Sequence, residues 1–377
     1  MSKEKTAKEP LFHITKRDPL PLWQSWLIRV AAVLIGILIS SLFVVITAGQ
    51  NPFSVFASII HGAFGDPGYQ TEEGVAATIW QLIQELAILL GIAIAITPAF
   101  KMKYWNTGAE GQVLFGALIT AMISAYWGKG LSGSGFGQFF LIVLMMLGGI
   151  LGGALWAVLP ALCKAKWNTN ETLFTLMMNY VAISLVNVFL KSWDPSHGEF
   201  IVVNGQFPVI GIEYLGIVLV SVVLTAAMYV YLKYSKHGYE ISVVGESHNT
   251  AKYIGLSVGK VTVRTLLVSG SICGFIGAML IGSIKGSLTT DIVGGYGFTA
   301  ILVSWLAKFN PLFMILTAFL VVFFKKGSNQ IASDFGKYGL TKDFGDVIVG
   351  IVFFCIIGCE FFLNYSIKFN KKHGEVK

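Results

Sequence analysis

Three short stretches of this sequence set polar side chains where they could do chemistry in a largely apolar chain. In Trp105-Asn106-Thr107-Gly108-Ala109-Glu110-Gly111-Gln112, Asn106, Glu110 and Gln112 stand at the mouth of an apolar segment. A carboxylate there is costly unless it is paired or faces water, which marks a candidate site. Helix capping by Asn106 and Glu110 is the plainer alternative, and the two roles are compatible. Further on, Thr172, Thr175, Asn179 and Asn187 fall at i, i+3, i+7 and i+15 and share one helical face, with Asn170 and Glu171 continuing the polarity to its start. Such a stripe either bonds neighbouring helices or lines a water-filled path, and its position favours the path. The third stretch lies in a loop over 234–261. Its spacing predicts a short helix from Glu246 to Ile254 between Gly245 and Gly255, with Ser247 or Asn249 as caps and Ala251, Lys252 and Tyr253 along it. This helix could cover a bundle or be gripped by a partner.

Other chemistry finds little support. Cys163, Cys273, Cys355 and Cys359 all lie in apolar runs without CxxC spacing, and the six histidines form no HExxH pair, so neither a metal site nor any other cofactor is expected. The nearest approach to a phosphate loop, 255–261, has Ile254 where the first glycine belongs and Val261 where a hydroxyl belongs, and it follows no strand. If ATP drives this protein, another subunit must hydrolyse it. No nucleophile and base stand out as a pair, so this chain is not expected to be an enzyme.

The elements that must position these groups are membrane helices. Of the 377 residues 55% are apolar and 12% charged, with 42 glycines, far from a soluble domain. Although the net charge is +7, the basic residues cluster between apolar runs rather than on one face, which argues for membrane topology and lipid contact and against nucleic acid. A span needs about 20 apolar residues. That rule predicts helices over 25–47, 79–99, 108–127, 138–163, 172–190, 211–233 and 262–284, shorter runs over 297–307 and 311–324, and a last span over 344–365: an all-α, polytopic bundle of about ten membrane segments. The segment 1–24 is too polar, and the following apolar run too long, for a cleaved signal peptide. With 1–24 inside, 20 of the 27 lysines and arginines fall on the cytoplasmic side, so a transmembrane domain over 25–365 is expected to carry a cytoplasmic tail over 366–377, with both termini inside. The loop 48–78 has no basic residue and is placed outside. Lys325 and Lys326 then sit awkwardly, which suggests broken or re-entrant eighth and ninth segments. Gly270, Gly274, Ala278 and Gly282, and Gly148/Gly152 with Gly149/Gly153, give small-residue seams for close helix packing.

Over about residues 80–365 the sequence resembles the permease subunits of bacterial ABC importers for nucleosides and simple sugars, related to the ribose and branched-chain amino-acid permeases. Four motifs carry the resemblance in order: 106–112; Asn170-Glu171-Thr172 through Asn179-Tyr180; Val244-Gly245-Glu246 to Gly255; and Gly295-Tyr296-Gly297-Phe298 through Phe309-Asn310-Pro311. The glutamate motif and the extended N-terminus point to the nucleoside branch. The resemblance implies an inverted repeat, a plasma-membrane location, a translocation path near Asn106, Glu110, Gln112, Thr175, Asn179 and Asn187, and ATPase coupling through Gly245, Glu246, Asn249, Ala251, Lys252, Tyr253 and Gly255. It also implies partners: cytoplasmic ABC ATPase subunits, a second permease that is a paralogue, and an extracellular solute-binding lipoprotein. Glu110→Gln is accordingly expected to abolish uptake at near-normal expression, and a bulky charge at Ala251 to spoil docking alone. The competing class is an ion-coupled secondary transporter using Glu85, Glu110 or Glu360.

Overall fold

A computed structural model describes residues 12–17, 21–49, 51–65, 72–131, 133–193, 201–202, 207, 215–336 and 342–369. The expected cytoplasmic ends, 1–24 and 366–377, lie largely outside these residues, as do Lys337 and part of the loop 48–78. The elements are, in order, β1 (Phe12–Lys16), α1 (Leu22–Ala48), α2 (Pro52–Phe64), α3 (Glu72–Lys101), α4 (Ala109–Leu131), α5 (Gly135–Trp167), α6 (Glu171–Trp193), β2 (Ile201–Val202), α7 (Leu215–Tyr234), α8 (Lys236–Glu246), α9 (His248–Tyr253), α10 (Val258–Met279), β3 (Ser287–Leu288), α11 (Tyr296–Leu306), α12 (Pro311–Asp334), α13 (Lys342–Asn364) and β4 (Tyr365–Phe369). Among the described residues eight helices are long and apolar enough to cross a membrane, and shorter apolar helices cover Phe53–Phe64, Tyr296–Leu306 and Val347–Leu363. The chain is a polytopic helical membrane protein.

The helices begin and end where local chemistry dictates. Asn51 accepts from the Phe53 N–H ahead of Pro52, Ser134 caps α5, and α5 ends on Asn168 in the left-handed conformation. Two of the expected segments change. The run placed at 311–324 continues through Lys325 and Lys326 as one helix to Asp334, and the loop placed over 48–78 contains α2, a helix whose start the Asn-Pro pair signals.

Residues form two compact units, 71–322 and the remainder. In the unit holding both ends of the chain, α1 packs on α13, with Gly36 against the Val352 backbone. Arg29 Nη2 and Nε reach Glu360 Oε1 at 2.7 and 2.8 Å. β1 pairs antiparallel with β4, Phe12 opposite Phe369 and Lys16 opposite Tyr365. This ribbon puts the start of α1 and the end of α13 on the same side. Within the same unit, α2 lies on the end of α12, where Gly62 leaves room for the Lys326 carbonyl and Gln330.

In the larger unit α5, α10 and α4 form the centre. Gly149 and Gly153 of α5 face Gly270 and Gly274 of α10 backbone to backbone, while Gly116 of α4 meets Gly274. The alternate seam on α5 has another partner: Gly148 and Gly152 receive Ile123 and Ile119 of α4. α10 ends in a π-helical turn, Leu280–Lys285, where Gly282 packs under the Phe207 ring and its carbonyl accepts from the Phe207 N–H at 2.8 Å. β2 and β3 pair beside this turn.

Candidate functional site

α3 ends at Lys101, and the chain reaches α4 through 102–108 without regular structure. Irregular backbone beside apolar helices must find its hydrogen bonds locally, and the polar residues picked out from the sequence supply them. Asn106 Oδ1 accepts from Gly108 N–H and from Gln112 Nε2, each at 3.1 Å, and closes the turn. Thr107 N–H donates to Thr175 Oγ1 at 3.2 Å, and Thr107 Oγ1 donates to the Thr172 carbonyl at 3.0 Å. Asn179 accepts from Gly111 N–H at 2.9 Å and donates to the Thr107 carbonyl at 3.0 Å. Gly108 and Gly111 lie so close to Thr175 and Asn179 that a side chain at either would have to displace α6. Two motifs 65 or more residues apart therefore form one buried clasp between the start of α4 and the start of α6.

Glu110 faces elsewhere. Its Oε1 accepts from Gly295 N–H at 2.9 Å and its Oε2 from Gly297 N–H at 2.7 Å, so the carboxylate caps α11. Gly295 sits in the left-handed conformation, and Gly297 packs on the Glu110 backbone. The positive end of the α11 dipole and two N–H donors compensate the charge, leaving Glu110 only 8% exposed. The capping alternative is thus realised across helices rather than on α4 itself. α11 has 11 residues, about 16 Å at 1.5 Å per residue, roughly half the ~30 Å hydrocarbon thickness. It lies along α3, with Ser304 donating to the Ala93 carbonyl at 2.9 Å and the Tyr296 hydroxyl donating to Glu85 at 2.7 Å. At its far end Trp305 packs on Trp105, and Phe309 stacks on Phe100.

Of the six residues expected along a path, Asn106, Glu110, Gln112, Thr175 and Asn179 are buried and bonded within the chain. Asn187 is not among them: the buried face of α6 runs through Thr175, Asn179, Ala182, Val186 and Leu190, and Asn187 is exposed. At 100° per residue the i+15 spacing leaves Asn187 well round the helix from Asn179. The outward side of α6 carries an apolar groove of about 450 Å3 lined by Asn170, Leu173, Phe174, Met177 and Val181.

The loop over 234–261 forms two helices. Glu246 closes α8, and α9 begins two residues later at His248, with the intervening Ser247 accepting from Thr250 N–H at 3.3 Å. Gly245 is seated against the Lys101 carbonyl at the end of α3. Asn249 and Lys252 are exposed and Tyr253 is 93% exposed, but Ala251 is fully buried. A charge at Ala251 therefore disrupts the packing of the loop itself and cannot isolate docking, because the helix turns that residue inward. Gly255 has φ +83° with open space where a side chain would stand. Gly255→Val is expected to destabilise the loop by roughly 1–2 kcal/mol through backbone strain alone, measured as faster proteolysis of the loop, with Gly259→Ala as the right-handed control.

Sequence reasoning missed the cluster behind this loop. Glu240 of α8 is buried, with Oε2 3.5 Å from Arg264 Nη1 of α10 and 3.8 Å from His237 Nε2. The one signal was an acid three residues after a histidine in a basic loop. Burial, reinforced by the Arg264 charge and opposed by Glu240, holds the His237 pKa below its ordinary value. Among the described residues no three His, Cys, Asp or Glu side chains are grouped to hold a metal ion.

Comparison with known sequences bears on this geometry. Residues 78–357 match the family described as branched-chain amino acid transport system / permease component. A guanosine ABC transporter permease of Bacillus subtilis is 26% identical over 356 residues, covering 91% of this chain and 94% of the relative. A glucose ABC transporter permease of Haloferax volcanii is 27% identical over 300 residues, 74% of this chain and 75% of the relative. A nucleoside ABC transporter permease of Lactococcus lactis is 21% identical over 348 residues, 88% and 90% of the two chains. No solved structure matches.

Proposed function

We propose, from the premise that this chain belongs to the branched-chain amino acid transport system / permease component family, that it is the multi-pass plasma-membrane permease of an ABC importer and that its solutes are nucleosides. Near full-length similarity to guanosine and nucleoside permeases supports that solute class. The observation that carries the mechanism is the half-length α11 held at its start by Glu110 of α4. Discontinuous helices whose ends meet where two repeats face each other are how transporters build a pathway. We assign α3–α6 and α10–α13 to the two halves of an inverted repeat within ten membrane segments, both termini being cytoplasmic. The domain runs over 25–365, between the cytoplasmic segments 1–24 and 366–377.

The chain works as a transport subunit. ATP is hydrolysed by cytoplasmic ATPase subunits, a paralogous permease completes the pathway, and an extracellular lipoprotein delivers the solute. Asn106 and Gln112 shape the pathway by closing the turn before α4, Thr175 and Asn179 by fixing that turn and α4 against α6, Glu110 does so by fixing α11, and Asn187 stands on the exposed side of α6, within reach of solute. An ion-coupled mechanism would need a carboxylate free to change partners, whereas Glu85, Glu110 and Glu360 are bonded to Tyr296, to the α11 start and to Arg29. ATP-driven guanosine uptake by the assembled complex in proteoliposomes tests the assignment. Uptake by this chain alone under a pH gradient overturns it.

The docking contact is α9, between Gly245 and Gly255, with Glu246, Asn249, Lys252 and Tyr253 beside or on it and Ala251 anchoring it from within. A fully exposed tyrosine on a six-residue helix is the kind of aromatic anchor that concentrates binding energy. Tyr253→Ala is expected to cost about 2 kcal/mol of ATPase affinity, roughly 30-fold, read as loss of the ATPase from a detergent pull-down while the permease melts normally. Unchanged association would move the docking contact away from α9.

A further inference from the structure

α9 is too short to hold its own conformation, so its direction is set by α8 before it and α10 after it. α8 leaves α7 through a tight elbow: Ser235 Oγ accepts from Gly238 N–H at 3.0 Å and donates to the Tyr231 carbonyl at 2.6 Å. A side chain at Gly238 would meet the carbonyls of Tyr231 and Leu232, and Gly245 seats the other end of α8 on α3. Between these points a line of polar contacts crosses three helices. Tyr231 OH of α7 lies 3.0 Å from His237 Nδ1, His237 Nε2 lies 3.8 Å from Glu240 Oε2, and Glu240 Oε2 lies 3.5 Å from Arg264 Nη1 of α10.

Glu240 is buried but Arg264 is half exposed, so the pair adds little stability, since solvent screens its attraction. Charge does, however, fix which groups must face each other, and an apolar contact lets them slide. We propose that Glu240 and Arg264, backed by His237 and Tyr231, are the strut that locks α9 to α7 and α10, so that a displacement of α9 by the ATPase is passed to both helices. Glu240 and Arg264 are positioning residues: they touch neither solute nor nucleotide. The inference rests on the importer assignment above.

The test uses the assembled permease–ATPase complex with its binding protein in proteoliposomes, labelled guanosine as the probe, and ATP hydrolysis measured in the same vesicles. Glu240→Leu/Arg264→Met keeps the side-chain volume and removes both charges. The double variant is expected to melt near the wild type and keep hydrolysing ATP, while hydrolysis per guanosine imported rises about fivefold or more. Arg264→Lys, which keeps the charge, returns the ratio toward wild type. Glu240→Gln carries the same comparison if the double variant is not recovered. A ratio equal to wild type, or hydrolysis and uptake falling in parallel, overturns the strut. Failure of the importer assignment is distinguishable because it shows in the wild type, as guanosine uptake under a proton gradient and none under ATP.

Discussion

Glu110→Gln is expected to melt well below the wild type and to lose uptake along with folded protein. The exchange has nearly no steric cost, yet it replaces an acceptor of two hydrogen bonds with a group that can accept only one of them. The amide NH2 would confront either the Gly295 or the Gly297 N–H, donor against donor, beside a largely buried side chain. The charge that meets the positive end of α11 is lost as well. Charge-assisted hydrogen bonds contribute about 1.5–3 kcal/mol each, and an orphaned buried donor costs a similar amount, so roughly 2–4 kcal/mol is expected for the variant. The measurement is thermal unfolding of the purified complex in detergent beside guanosine uptake at matched folded protein. This departs from what the sequence alone implies, namely lost uptake at near-normal expression. A Glu110→Gln permease that melts like wild type and transports nothing would mean that the carboxylate meets the solute and that the cap is incidental.

Gly274→Val is expected to be the most damaging single change in the centre of the larger unit. A Cβ at Gly274 would fall on the Gly149 carbonyl and on the backbone of Gly153, atoms that no rotamer change can move. α5 and α10 would have to separate along the face where they approach most closely, and the dispersion contacts of the whole seam would weaken together. A cost of about 3–4 kcal/mol follows, at the upper end for overpacking. Gly148→Ala is the internal control. Its Cβ would meet the Cδ1 of Ile123, the far end of a side chain that can turn aside, so a change below about 1 kcal/mol is expected. Monodisperse yield and melting temperature in detergent separate the two. Equal damage from both would mean that glycine is needed along α5 for reasons other than backbone approach.

That contrast marks how far the sequence reaches. Spacing every four residues identifies Gly149, Gly153, Gly270 and Gly274 as seams because a helix repeats its faces with that period, whatever lies opposite. It does not say that Gly149 faces α10 while Gly148, one residue earlier, faces a movable side chain on α4. Helix positions were legible for a related reason: crossing hydrocarbon imposes a length and an apolar composition on each segment, and Asn-Pro or serine caps mark ends locally. α2 escaped because 13 residues fall short of that length.

The site divides along the same line. The sequence by itself determined that Glu110 had to be paired or face water, since a carboxylate at the mouth of an apolar segment is costly otherwise. It set Asn106 and the motif on α6 along one path and said nothing of a contact between the two stretches. Which way each group faces was decided by tertiary structure alone. In a membrane the lipid side and the protein side of a helix are both apolar, so the pattern that separates core from surface in water is largely silent. Asn187 drifts off the buried face of α6 for lack of that guide, and Ala251 turns inward although its neighbours Asn249, Lys252 and Tyr253 face out. The partner of Glu110 lies 185 residues away on α11, and that of Glu240 is Arg264 on α10. A buried charge announces in sequence that it must have a partner, because desolvation forbids the alternative. Only the packing of the helices supplies the partner's identity, since electrostatic compensation depends on distance in space and leaves no fixed spacing along the chain.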